Sequence, residues 1–82
     1  MTKLTVRIKC FSQVRQETGN GEIPMSFPSA MNTEEFMKTF LDKYPNLKAL
    51  PIRIAVNREY VNTTVNLQDG DEIALIPPVS GG

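Results

Sequence analysis

One helix, signalled at both of its ends, is the feature that most constrains the fold of this chain. Asn32 is a suitable N-cap, and Glu35 follows three residues later, as in a capping box. Pro45 ends the pattern, because the residue before a proline avoids the helical conformation. Between these limits the apolar residues recur at helical spacing and form one stripe: Phe36, Met37, Phe40, Leu41 and Tyr44. The helix therefore has a single face to bury, and the rest of the chain must supply its partner layer.

The segments before the helix have the alternation of strands. Residues 3–10 place four apolar side chains on one face of a strand: Leu4, Val6, Ile8 and Cys10. The turn signal at 17–22 and the return strand at 22–27 then predict a hairpin. Pro24 within the second strand favours an edge position or an irregular start of the strand.

The segments after the helix predict further strands. Residues 52–57 alternate as a strand, the Asn-Arg-Glu at 57–59 is a turn before a short extended piece, and 68–71 is a second turn. Residues 73–76 are nearly continuously apolar, which is typical of a central strand buried on both faces. The 82 residues suffice for one domain. We therefore predict an α+β fold in which one main helix packs across one face of a mixed sheet.

The composition excludes several classes of function. Nine basic residues balance nine acidic ones, which argues against a nucleic-acid partner, and the apolar runs are too short for a membrane span. The polar–apolar alternation at the N-terminus and the single Cys10, interpreted as a buried structural thiol, indicate a cytoplasmic protein. The chain has no histidine, no phosphate loop and no set of metal ligands, so we expect no bound cofactor and no enzyme activity by the chain alone.

The end of the chain has the most informative functional pattern. A folded body is predicted over 1–76, and 77–82 are predicted to form a flexible tail with the sequence Pro77, Pro78, Val79, Ser80, Gly81 and Gly82. The prolines favour an extended path away from the body, and two glycines can enter a channel in which any Cβ would clash. Six extended residues reach roughly 20 Å, enough to enter the active site of another protein. The alternative is that the two glycines are only a frayed end.

The chemistry available to this tail is that of the Gly82 carboxylate. A carboxylate is a poor electrophile and must first be activated, for instance as an acyl-adenylate. Because the chain has no site for ATP, a partner must use the nucleotide. Sulfur can then displace AMP and leave a thiocarboxylate, so that the sulfur becomes the cargo.

Three stretches resemble a known family. They are Cys-Phe-Ser-Gln-Val-Arg-Gln-Glu at 10–17, Ala-Val-Asn at 55–57 followed by Tyr-Val at 60–61, and the segment 69–82. The last is the most specific, because Asp-Gly-Asp, an apolar strand, Pro-Pro and Gly-Gly follow in that order. Together they resemble the MoaD family, the small sulfur carrier subunit of molybdopterin synthase. The resemblance implies a ubiquitin-like β-grasp fold.

The resemblance also implies a sequence of partners. An E1-like (MoeB-like) enzyme would adenylate Gly82, which would become a thiocarboxylate. The tail would then enter the large (MoaE-like) subunit of molybdopterin synthase, in a heterotetramer, and give its sulfur to cyclic pyranopterin monophosphate to build the dithiolene. Gly82 and Gly81 would carry the chemistry, and the residues in contact with partners would be Phe11, Tyr60, Ile76, Pro77, Pro78, Val79 and Ser80.

Alternatives remain at this stage. Phe11, Tyr60 and Ile76 belong to residue types that serve as interface anchors, but the same types also occur as ordinary core residues. Arg53 and Arg58 are interpreted as solvated charges, with contact to an acidic partner face as the alternative. Carriers of the same fold serve thiamine biosynthesis and tRNA thiolation. A ubiquitin-like modifier of protein lysines starts from the same adenylate, and a plain binding module needs no adenylate at all.

Overall fold

Residues 3–78 of the computed structural model form five strands, two α-helices and one 3-10 helix. In chain order these are β1 Leu4–Cys10, α1 Ser12–Thr18, β2 Glu22–Phe27, α2 Thr33–Lys43, the 3-10 helix Pro45–Ala49, β3 Arg53–Val56, β4 Glu59–Tyr60 and β5 Glu72–Ile76.

The strands build one mixed sheet in the order β2-β1-β5-β3-β4. The β1 and β5 pair is parallel, and Ile8 lies opposite Ile73. The other three pairs are antiparallel. With α2 across one face, this is the α+β, ubiquitin-like β-grasp arrangement, and β5 is the central strand as predicted.

Helix α2 supplies the second layer of the core. Its capping box is formed: the Glu35 backbone N–H donates to the Asn32 side chain at 2.8 Å, and the Asn32 N–H donates to the Glu35 carboxylate at 3.0 Å. Phe36 and Phe40 are fully buried and stack with ring centroids 5.9 Å apart. They pack in one cluster with residues of β1 and β5, which include Val6, Ile8, Ile73 and Leu75. The helix therefore covers the side of the sheet on which these residues lie.

The connection between β1 and β2 differs from the predicted tight turn. It contains α1, whose only buried residue is Val14. Gly19 ends this helix at φ 78°, and its N–H donates to the Arg15 carbonyl at 2.8 Å. A seven-residue helix with one buried position is too short to show a helical period. The glycine assigned to a turn is instead the C-cap.

The central strand is buried on one face rather than on both, so that prediction was wrong. Ile73 and Leu75 face α2 and are fully buried. Ala74 and Ile76 point to the opposite face and are only partly covered. Apolar residues therefore lie on a side of the sheet that no helix of residues 3–78 covers.

Candidate functional site

The uncovered side of the sheet carries an apolar patch. In the strand register Ala55 lies opposite both Ala74 and Tyr60, which aligns β5, β3 and β4 across this face. Phe11, 47% exposed, and Tyr60, 54% exposed, stand at its two sides as the large exposed apolar residues of the part described. Together they form a shallow depression of about 530 Å³. We call this surface the sheet-face patch and define it by Phe11, Ala55, Tyr60, Ala74 and Ile76.

The structure brings three of the residues predicted to contact partners into this patch. Phe11 and Tyr60 are exposed, and Ile76 is half-buried, so none of the three is an ordinary core residue. Pro78 is exposed, whereas Pro77 is buried. The contact of these residues with a partner stays a prediction. The remaining predicted site residues lie outside the described residues: Val79, Ser80, Gly81 and Gly82.

The position of Ile76 links the patch to the end of the chain. Ile76 is the last residue of β5 and lies opposite Arg53 of β3. The chain therefore leaves the sheet from within the patch. Any protein that receives the Gly82 carboxylate must approach within the reach of residues 77–82, roughly 20 Å from this point.

Two members of the patch were not predicted from the sequence. Ala55 and Ala74 looked like ordinary strand residues, yet they form the floor of the depression. Their small side chains keep the surface between Phe11 and Tyr60 low. Alanine in an otherwise branched strand was the available signal, because alanine is depleted in strands unless the position requires a small side chain.

The charged residues of this face are mostly basic. Among the described residues, this face carries two carboxylates, Glu22 and Glu72, and five cationic side chains. The cations are Arg7, Lys9, Arg15, Arg53 and Arg58. The face thus has an excess of three positive charges in a chain whose formal charge is zero. The balancing negative charge lies outside this face, at Glu17, Glu59, Asp69 and Asp71, whereas the acidic and basic residues of α2 and the 3-10 helix cancel.

Both carboxylates of this face already have cationic neighbours. Glu22 is 2.9 Å from the Lys9 ammonium, whose hydrogen bond and charge lower the pKa of Glu22 below its ordinary value. Glu72 lies between Arg7 and Arg58, each 3.9 Å from one of its oxygens. The three positive charges in excess on this face are therefore left to the solvent side.

The turn between β3 and β4 is held by the side chain of Asn57. Its amide donates to Asp71 at 2.9 Å, its carbonyl accepts from the Glu72 N–H at 3.0 Å, and its own N–H donates to the Glu72 carbonyl at 2.7 Å. Asn57 and Arg58 both have positive φ, 51° and 71°, as a two-residue type I′ turn requires. Glycine is the usual residue at the second position, so Arg58 occupies it with backbone strain.

We expect Arg58→Gly to raise the stability of the fold by about 0.5 kcal/mol, or roughly 2–4 °C in melting temperature. Glycine has no Cβ to clash at φ 71°, although its greater freedom in the unfolded chain offsets part of the gain. The lost contact with Glu72 counts for little, because the Arg58 side chain is 88% exposed. Thermal unfolding followed by circular dichroism measures the change. Arg58→Ala, which loses the same contact but keeps a Cβ, should not be stabilised, and equal melting temperatures for both variants would contradict the strain argument.

Cys10 is not suited to sulfur chemistry of its own. It is 3% exposed, as predicted for a structural thiol. Burial raises the pKa of the Cys10 thiol above its ordinary value, and the nearby Thr18 side chain offsets this only in part. A buried, protonated thiol is a poor nucleophile.

Residues 3–78 contain neither a cluster of potential metal ligands nor a helix able to span a membrane. No group of three or more potential ligand side chains within this range is placed to hold a metal ion. No helix within it combines the length and the apolar character needed to cross a bilayer.

Comparison with known sequences identifies the family. The ThiS family profile matches residues 8–82. The molybdopterin synthase sulfur carrier subunit of Caenorhabditis elegans is 35% identical over 96% of this chain and 99% of its own length. The human molybdopterin synthase sulfur carrier subunit is 34% identical over 94% of this chain and 93% of its own.

Solved structures agree with the sequence relatives. Subunit 1 of the molybdopterin converting factor from Pyrococcus furiosus superposes with a TM-score of 0.82 at 26% identity, over 93% of this chain and 99% of that one. The small archaeal modifier protein 1 of Methanosarcina acetivorans gives 0.77 at 27% identity over the whole of both chains. A chain of the complex between subunits 1 and 2 of the Helicobacter pylori molybdopterin-converting factor gives 0.67 at 26%, over 96% of this chain and 100% of that one. This chain therefore belongs to the ThiS family and, within it, to the family of molybdopterin synthase sulfur carrier subunits.

Proposed function

We propose that the chain carries sulfur as a thiocarboxylate at Gly82 and delivers it to the large subunit of molybdopterin synthase, where it enters the dithiolene of molybdopterin. The observation that supports this most is the place at which the chain leaves its sheet. Ile76 lies within an exposed apolar patch, and six residues later the sequence ends in Gly81 and Gly82. A short tail thus joins the surface that would bind a partner to the Gly82 carboxylate, which would react inside that partner.

The chemistry requires two steps on the same carboxyl group. The Gly82 carboxylate first attacks the α-phosphate of ATP, which releases pyrophosphate and leaves an acyl-adenylate. A sulfur nucleophile then adds to the acyl carbon, AMP leaves, and a thiocarboxylate remains. The chain supplies only the carboxylate, and we propose that an E1-like (MoeB-like) enzyme binds the ATP and the sulfur donor.

The delivery step returns the carrier to its first state. The thiocarboxylate sulfur attacks a carbon atom of the pterin precursor, cyclic pyranopterin monophosphate, and displaces an oxygen substituent from it. The new carbon–sulfur bond makes a thioester to Gly82, and the displaced oxygen leaves with its electron pair. Water then cleaves the acyl–sulfur bond, which leaves the sulfur on the pterin and a carboxylate on the carrier. The H. pylori relative is solved in complex with a subunit 2, which supports the same kind of large-subunit partner here. A heterotetramer of two carriers and two large subunits is part of this proposal.

Intact mass spectrometry of the protein isolated from cells that make molybdopterin tests this function. A thiocarboxylate adds the mass difference between one sulfur atom and one oxygen atom. The added mass should disappear after incubation with the large subunit and the pterin precursor. A protein whose mass never changes under any of these conditions would contradict the proposal.

A second candidate function is the modification of protein lysines. The structural likeness to the small archaeal modifier protein 1 over the whole of both chains favours it. An amine that attacks the same acyl-adenylate would form an isopeptide bond in place of a thiocarboxylate. The mass experiment separates the two functions, because conjugates would have the mass of the chain plus that of a second protein.

We expect Phe11→Ala and Ile76→Asp each to weaken binding to the large subunit about thirtyfold or more while largely sparing the fold. Phe11 is half-exposed and Ile76 is half-buried in the patch, so a partner can cover both. Truncation removes apolar contact area at one position, and a carboxylate would have to be buried at the other. Calorimetric titration against the large subunit measures the affinity.

The matched control is Glu34→Ala on the exposed side of α2, which should bind as the unmodified protein does. Melting temperatures show whether each variant is folded. A large fall in melting temperature with unchanged affinity would mean that these residues support the fold and not the interface.

A further inference from the structure

Arg53 and Tyr60 form a cation–π pair at the edge of the sheet-face patch. The Arg53 guanidinium carbon lies 4.3 Å from the centroid of the Tyr60 ring. The two side chains come from the adjacent antiparallel strands β3 and β4, and both residues are exposed. The strand register also places Arg53 opposite Ile76, where the chain leaves the sheet.

The guanidinium of Arg53 lacks an acidic neighbour in the part of the chain described. Between residues 3 and 78, the carboxylates that face this side pair with other cations: Glu22 with Lys9, and Glu72 with Arg7 and Arg58. No carboxylate within that range comes within 4.0 Å of Arg53. The aromatic ring thus holds a cation whose charge this part of the chain does not compensate.

An arginine held over an aromatic ring is prepared to bind a carboxylate. The ring covers one side of the guanidinium, while the N–H donors that point away from the ring stay available. Those donors match the two oxygens of a carboxylate in a bidentate pair, and less side-chain freedom is lost because the ring already restrains the arginine. Tyrosine and arginine are also the residues most often found at energetic centres of interfaces.

We propose that the Arg53–Tyr60 pair receives an aspartate or glutamate side chain of the large subunit, beside the point at which the tail enters that subunit. This inference rests on the proposed function. The excess of three positive charges on this face supports an acidic partner surface, and the solved H. pylori complex makes the large subunit the partner of choice. The pair therefore adds a directional contact to the interface. Apolar contacts are not directional, so the patch alone would not fix the orientation of the two subunits.

The first test separates bidentate recognition from general charge attraction. Arg53→Lys keeps the charge but removes the planar fork, and Arg53→Gln removes both. We expect each to lower affinity for the large subunit about tenfold, with the loss mainly in the dissociation rate. Lys38→Gln removes one exposed positive charge from α2 and should change affinity little. If Arg53→Lys binds as tightly as the unmodified protein, the proposal fails.

The second test identifies the carboxylate. Each acidic residue on the carrier-facing surface of the large subunit is changed to its amide, and each amide variant is titrated against the unmodified carrier and against Arg53→Lys. One amide variant should weaken the unmodified carrier and have little further effect on Arg53→Lys. Effects that are additive for every acidic residue would overturn the proposal.

Two measurements on the unmodified carrier and the Arg53 variants separate this inference from the proposed function. They are the affinity for each partner and the delivery of sulfur. If the unmodified carrier binds the large subunit and delivers sulfur while the Arg53 variants match it, only the inference fails. If the unmodified carrier does not bind the large subunit, the proposed function fails and the inference with it. A loss of affinity confined to the adenylating enzyme would likewise overturn the assignment of the carboxylate to the large subunit.

Discussion

Removing Gly82 is expected to abolish sulfur delivery while leaving the fold and its melting temperature unchanged. Within residues 3–78 the last strand ends at Ile76, and the buried core cluster extends along the chain from Leu4 to Leu75, seven positions before Gly82 in the sequence. The loss should be complete and not partial, because the carboxylate is the reacting group. A truncated chain would present the carboxylate of Gly81 one residue short, up to about 3.6 Å from where activation requires it.

A reconstituted molybdopterin assay measures sulfur delivery, and circular dichroism measures the fold and its melting temperature. Glu34→Ala on the exposed side of α2 leaves the tail and its terminal carboxylate unchanged and serves as the control, with sulfur delivery close to normal. Gly81→Ile keeps the length but adds a β-branched side chain next to the reacting group, and it should impair delivery nearly as much as the deletion. Sulfur delivery by the protein that lacks Gly82 would refute the proposed chemistry.

The fold could be predicted from the sequence where a local signal and the tertiary structure agree. The Asn32 and Glu35 pair begins α2 where the capping box predicts, and the alternation of residues 3–10 places Leu4, Val6 and Ile8 in the core. Helix α1 could not be predicted in this way. Val14 is its one buried residue, and one buried residue does not produce a periodic pattern.

The candidate site shows a different limit of sequence patterns. Continuous apolar character at 73–76 predicted burial on both faces, and it could not distinguish a face covered by a helix from one left open for a partner. Ala74 and Ile76 lie on the open face and are only partly covered within residues 3–78. The cation–π pair of Arg53 and Tyr60 was also beyond prediction, because it depends on the pairing of β3 with β4. The type I′ turn at Asn57 and Arg58, which sets that pairing, lacks the glycine that usually marks such a turn.

The second prediction with a large effect concerns what the chain does alone. Purified protein mixed with ATP and sulfide should release no AMP. The chain has no histidine and no phosphate loop, and its single thiol, Cys10, is buried with a raised pKa. Addition of an E1-like adenylating enzyme should produce AMP in an amount that depends on Gly82, followed by a thiocarboxylate detected by intact mass. The protein without Gly82, which should remain folded, is the control for AMP released by the adenylating enzyme itself.

The same experiment, continued with the large subunit and the pterin precursor, yields a stoichiometry. Each carrier has one terminal carboxylate and brings one sulfur atom per visit, whereas a dithiolene contains two. Two thiocarboxylates should therefore be converted back to carboxylates for each molybdopterin formed, measured by intact mass of the carrier against product yield. A carrier charged once and given no adenylating enzyme should stop at half its own molar amount of product. A ratio of one carrier per molybdopterin would require a second source of sulfur, and AMP release by the carrier alone would mean that the chain is not a carrier at all.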